Sequence, residues 1–305
     1  MRAGKTPSVN GRAVGRRRLI GLTGALVVVL AAWNNLVVTR LPGHPGSYVA
    51  ANLAAACAVL AAARSAGLGW EELGLARRRL PAGLVWGGVC FALVAVGYAT
   101  AVTVPALRPL LTDARVRGMD GAELAYQVFV RIPFGTVLWE EMAFRGVLLA
   151  ALARLLSLPA ATAGASALFG IWHIRPTLDA LASNDLLDGP VPTGAAVLLA
   201  CLWTAAAGAL FTWLRRGSGS LLAPALLHLA TNSLGTLAAA LALRIDGCVS
   251  RPRRGARADA QPSRRSSRVV GGHGPRRRRT GSCRRAHARP GRWWRTGGRP
   301  SPARR

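Results

Sequence analysis

The chain has 305 residues, of which 51% are apolar, and a formal net charge of +28. Its mean hydropathy is positive. A soluble chain can be this apolar on average, but it rarely gathers the apolar residues into repeated runs of about 20, the length that crosses a bilayer, so an ordinary soluble domain is excluded.

Six basic residues open the chain: Arg2, Lys5, Arg12, Arg16, Arg17 and Arg18. The uncharged run Leu19 to Val38 follows. It is longer than a signal peptide's apolar core and lacks a clear cleavage site, so it is expected as a retained first helix. Further spans are expected at Ser47 to Gly67, Ala82 to Val104, Leu124 to Leu152, Pro159 to Ile174, Pro192 to Leu214 and Ser220 to Leu243. The pattern predicts an all-α, polytopic membrane bundle of about seven transmembrane helices with an intramembrane site. One or two spans beside a soluble bundle would leave most of the uncharged runs without a reason. The expected divisions are a basic N-terminus (1–18), N-terminal transmembrane helices (19–120), a core carrying the polar motifs (121–243) and an arginine-rich tail (248–305).

Basic loops mark the cytoplasmic side. If the spans alternate, the N-terminal cluster, Arg77 to Arg79, Arg154 and Arg215–Arg216 share one side. A multi-pass protein of the cell membrane with a cytoplasmic N-terminus is expected. The tail breaks the pattern, since 19 arginines against Asp259 alone give it +18 of the +28. Disorder is the default for such a composition. No nucleic-acid partner is expected, the tail with Trp293 and Trp294 being a weak exception. With 39 Arg to one Lys, an off-frame origin is also consistent. The five cysteines form no CxxC pair and suggest neither a disulfide framework nor a zinc cluster.

Ionisable groups in a bilayer are expensive and functional by default. They are Arg131, Glu140, Glu141 and Arg145 in the fourth span, His173 at the end of the fifth and His228 in the seventh, where the neutral amide Asn232 joins it. Asn34 and Asn35 interrupt the first. Glu141 and Arg145 share a helix face, as do His228 and Asn232, and Phe169 and His173. Glu140 is turned about 100° from Glu141, so one acid can pair with Arg145 while the other faces a site. At ~1.5 Å per residue, Glu140 lies roughly 18 Å from Leu152, His173 roughly 21 Å from Pro159, and His228 and Asn232 roughly 12 and 18 Å from Ser220. The four side chains therefore come to similar depth. A carboxylate in low dielectric can act as base and then acid, histidine can share the water or bind a metal, and an amide can hold an oxyanion. A hydrogen-bonded network that only locks helices together would also fit. Ala161, Gly164 and Ala165 suit close helix approach, and Pro133 and Pro224 can open helices near the polar residues. The tryptophans Trp33, Trp139, Trp172 and Trp213 read as lipid or interface aromatics.

Glu140-Glu141-xxx-Arg145, Phe169-xxx-His173 and His228-xxx-Asn232, in that order, resemble the CPBP family of intramembrane endopeptidases, related to CAAX prenyl protease type 2 and to bacteriocin immunity (Abi) proteins, here of actinobacterial type. The resemblance covers about 121–243. It implies a helical membrane fold with a site opening to the cytoplasm. It implies that Glu140 activates water with His173 assisting, that His228 and Asn232 stabilise the oxyanion, and that Glu141 and Arg145 support the site. The implied activity is hydrolysis of peptide bonds in membrane-associated protein or peptide substrates. The alternative is a non-catalytic scaffold or self-immunity protein of the same family. No cofactor is favoured. Zinc, with Glu140, His173 and His228 as candidate ligands, is the alternative, although the HExxH spacing of zincins is absent. Membrane lipid is the other expected partner. The chain departs from the family at the C-terminus, where the tail follows the seventh span.

Overall fold

The structure is a computed structural model that describes residues 9–186 and 189–249. Residues 250–305, where the expected tail falls, lie outside the described residues. All regular structure among the described residues is helical. Helix α1 (Val9–Ala32) continues through a π turn at Trp33–Val37. Then come α2 (Tyr48–Ser65), the single turn α3 (Trp70–Leu73) and α4 (Leu80–Thr103). The next helical run joins α5 (Gly121–Tyr126), α6 (Leu138–Glu140) and α7 (Leu149–Leu155) through π segments at Gln127–Val137 and Glu141–Leu148. Helices α8 (Leu158–Trp172), α9 (Ile174–Ser183), α10 (Pro190–Ser218), α11 (Leu222–Leu229) and α12 (Gly235–Val249) complete the order. The last two are linked by a π turn at Ala230–Leu234.

Five helical stretches are long and apolar enough to cross a membrane. The expected fourth and fifth spans are helical but are not among them, for physical reasons that the sequence contains. The 121–155 run carries Glu123, Arg131, Glu140, Glu141 and Arg145, and α8 has only 15 residues before His173 breaks it. These two elements are also the ones buried inside the bundle. Every residue from Glu141 to Leu148 is buried, and Trp139, Phe144, Phe169 and Trp172 form a core cluster with Leu26 and Leu30 of α1 and Ala56 of α2. Their neighbours are protein, so they need not be apolar all round. The lipid-like surface lies on other helices, with Leu84 and Leu93 of α4 and Leu199 and Trp203 of α10 more than half exposed.

The site run starts on a reciprocal cap. Asp120 accepts hydrogen bonds from the amides of Ala122 and Glu123, both 2.8 Å, and Glu123 accepts one from the Asp120 amide at 3.0 Å. Pro133 has no amide to donate, and it sits within a π segment that accommodates the interruption.

Irregular helix leaves carbonyls without their usual partners, and in an apolar interior they must find others. Side chains from other elements take them. Asn52 donates to the Gly135 carbonyl at 2.7 Å, Ser233 to Val128 at 3.0 Å and Tyr98 to Thr231 at 3.1 Å. Elsewhere glycine allows direct backbone contact between α8 and α10: a Cβ on Gly170 would stand 2.6 Å from the Cys201 carbonyl oxygen. The expected close-packing glycine, Gly164, is exposed instead, whereas Ala161 and Ala165 are buried as their spacing suggests.

Contacts between the connecting segments fall into two groups. On one face Arg154 binds Glu72 at 2.6 Å, Arg215 donates to the Glu72 carbonyl at 2.9 Å, and the Leu221 amide donates to Gly74 at 2.9 Å. On the other, the Ala114 amide donates to Asn184 and Arg108 binds Asp246.

Candidate active site

Glu140 closes α6 and is 4% exposed. The indole N–H of Trp172 donates to its Oε1 at 3.0 Å, while its Oε2 has no hydrogen-bond partner among the described residues. His228 Nε2 stands 3.8 Å from that second oxygen. Glu140 is thus held at one oxygen and unengaged at the other.

Glu141 points elsewhere, as the one-residue rotation requires. Its Oε1 accepts from Arg145 Nη1 at 3.1 Å and meets His228 Nδ1 at 2.8 Å. A carboxylate can only accept, so Nδ1 carries the hydrogen and Nε2 is left to face Glu140. The Arg145 guanidinium stacks 3.9 Å over Phe169 and 4.7 Å over Phe211. The two acids, Arg145 and His228 form one buried quartet.

His173 ends α8 and precedes α9, with φ −91° and ψ 3°. Its Nδ1 donates to the Phe169 carbonyl at 2.8 Å, which assigns the hydrogen and leaves Nε2 available. The break that presents it is held from α1. Asn34 donates to the Trp172 carbonyl at 3.3 Å and Asn35 to Ile171 at 3.1 Å, while Asn35 Oδ1 accepts from the Arg175 amide at 2.9 Å.

A cavity of about 690 Å³ joins these parts, within the size range of ligand sites. Glu140, His173 and Asn232 line it, whereas Glu141, Arg145 and His228 do not. Three of the four side chains expected at a common depth thus line one cavity, and His228 stands behind Glu140. The cavity runs to the face of His44, Asp113 and Arg175. In the loop there, burial alone would raise the Asp113 carboxyl, but hydrogen bonds from the Arg115 side chain and amide hold it below its ordinary value.

Among the described residues no three His, Cys, Asp or Glu side chains gather as a metal site. His228 Nδ1 is taken by Glu141 and His173 Nδ1 by Phe169, which leaves the Nε2 of each for any other partner.

The family model described as Type II CAAX prenyl endopeptidase Rce1-like matches residues 122–234. This segment is Rce1-like. The resemblance seen in the three motifs is thereby borne out, and similarity of residues 122–234 to a family of endopeptidases supports peptide hydrolysis as the general activity. No curated protein and no solved structure matches the chain. All six motif residues, Glu140, Glu141, Arg145, His173, His228 and Asn232, fall inside the Rce1-like segment. Asn34, Asn35 and Asn52, which hold its irregular carbonyls, lie outside it.

Three tryptophans correct the lipid-facing expectation. Trp139 and Trp172 are 0% and 1% exposed, and Trp33 donates to Asn52 at 2.8 Å; Trp213, 59% exposed, fits it. Spacing could have flagged Trp172, since it adjoins His173. Asn52 carried the signal of Asn34 and Asn35, an amide inside an expected apolar span.

Proposed function

We propose that the protein is an intramembrane endopeptidase that cuts membrane-associated protein or peptide substrates with water activated by Glu140. The observation that carries this reading is a buried carboxylate, Glu140, that lines one cavity with His173 and Asn232, within a segment that matches a protease family's model.

Water beside Oε2 gives its proton to Glu140 as its oxygen attacks the scissile carbonyl. Trp172 fixes the other oxygen, so the carboxylate is oriented before the substrate arrives. His173, with Nε2 facing the cavity, orients the same water. Negative charge grows on the carbonyl oxygen, where the Asn232 amide stabilises it, with His228 standing behind Glu140. The proton on Glu140 then passes to the leaving nitrogen as the C–N bond breaks, giving a carboxylate and a free amine. Glu141 and Arg145 hold His228 in register.

Purified wild type and Glu140→Ala are compared on a library of model transmembrane peptides, with products read by mass spectrometry. The variant is expected to lose roughly 10²- to 10⁴-fold in turnover while remaining folded. Equal turnover by both would reject catalysis at this carboxylate.

A further inference from the structure

Three arginines line the cavity. Two are matched: Arg115 pairs with Asp113 at 2.7 Å and Arg175 with Asp179 at 2.9 Å. Arg131 has no carboxylate within ion-pair distance among the described residues, and its hydrogen bond to Gln127 Oε1 is long, at 3.4 Å. Its guanidinium lies 4.5 Å over the ring of Tyr48, whose hydroxyl shares a hydrogen bond with Thr136 at 3.1 Å. Stacking on a fixed ring sets the guanidinium plane and leaves its N–H edge free. That edge matches a planar carboxylate through two parallel bonds.

Position ties Arg131 to the chemistry. It lies nine residues before Glu140 on the same helical run. Nine residues of regular helix make about two and a half turns and would place the two on opposite faces. The π winding of Gln127–Val137 alters that phase, and both side chains line one cavity. A wholly apolar substrate entering there would strip water from the guanidinium and return nothing. A substrate carrying an anion would restore its hydrogen bonds.

We propose that Arg131 is a substrate-binding residue that holds a carboxylate of the peptide being cut, offered by its C-terminus or by an acidic side chain. This rests on the peptidase reading of the same cavity and adds a substrate class to it: anionic peptides rather than uniformly apolar ones.

Four versions of one apolar fluorescein-labelled decapeptide separate the sources, having a free or amidated C-terminus and a central Asp or Asn. Anisotropy reads binding to the purified full-length protein, and mass spectrometry reads cutting. The wild type is expected to bind at least one carboxylate-bearing version about tenfold or more tighter than the amidated Asn version. The version that gains identifies the source. Arg131→Gln should lose that preference while binding the neutral peptide as before, and Arg131→Lys should recover part of it. If Arg131→Gln fails to fold, a weakened preference in Arg131→Lys, with neutral binding intact, carries the test, and an unchanged preference there overturns the proposal. Glu140→Gln should keep the preference and lose cutting. A wild type that shows the preference but cuts nothing would end the peptidase reading and leave the anion site standing. Equal wild-type affinity for all four peptides, or a preference that survives Arg131→Gln, overturns the proposal.

Discussion

Glu141 Oε1 is shared by Arg145 and His228 in a place from which water is excluded. Such a group is costly to bury and costlier to leave half-matched. Glu141→Gln should therefore destabilise the fold by about 3–5 kcal/mol, because it strands the Arg145 charge between Phe169 and Phe211. Arg145→Met should do comparable damage by stranding Glu141. The double variant should cost clearly less than the two added together, since both charges then leave at once. Denaturant titration of the purified protein in detergent micelles checks all three. At this scale the sequence was largely legible. Adjacent acids on a helix must diverge, and an arginine four residues on can meet only one of them. His228 was legible as a site residue but not as the partner of Glu141, because that contact depends on how two distant helices rotate against each other.

The irregular helices explain how residues from separate elements reach one cavity. Periodicity reveals regular helix, but π turns leave no periodic trace in composition. Pro133 hinted at one, yet nothing in Ala230–Leu234 or Glu141–Leu148 announces the others. Their stability rests on capture of misaligned carbonyls by remote side chains such as Asn52, and such pairings are set by tertiary packing rather than local pattern. Asn52→Leu should cost about 1–3 kcal/mol for each polar partner it strands, the Gly135 carbonyl and the Trp33 indole. Asn35→Ala tests the break at His173 more directly. It frees the Ile171 carbonyl and the Arg175 amide without touching the cavity's acid. Turnover should fall about tenfold with KM nearly unchanged, since a misplaced imidazole harms chemistry more than binding. A change confined to melting temperature would reduce Asn35 to a packing role.

For the whole molecule, two expectations drawn from the sequence exclude each other once the fold is known. A cytoplasmic N-terminus puts Arg77 to Arg79, Arg154 and Arg215–Arg216 on the cytoplasmic face, and their contacts do place those loops together. Yet the cavity runs to the opposite face, past Asp113 and Arg175. A site that opens to the cytoplasm, as the family resemblance implies, would require the N-terminus to lie outside. The short loops favour the first arrangement. Among the described residues Arg78 and Arg79 share one carboxylate, Glu71, whereas Arg115 and Arg175 on the cavity face each pair with an aspartate of their own. Single cysteines at Arg77 and Thr112, in a background with the native cysteines replaced, distinguish the two orientations in intact cells. A membrane-impermeant maleimide should label the Thr112 position and spare the Arg77 position. The reverse pattern would turn the whole bundle over and bring substrates in from the cytoplasm. In either case one orientation must account for both the charge of the loops and the mouth of the cavity, because the helices that join them span the distance between the two faces.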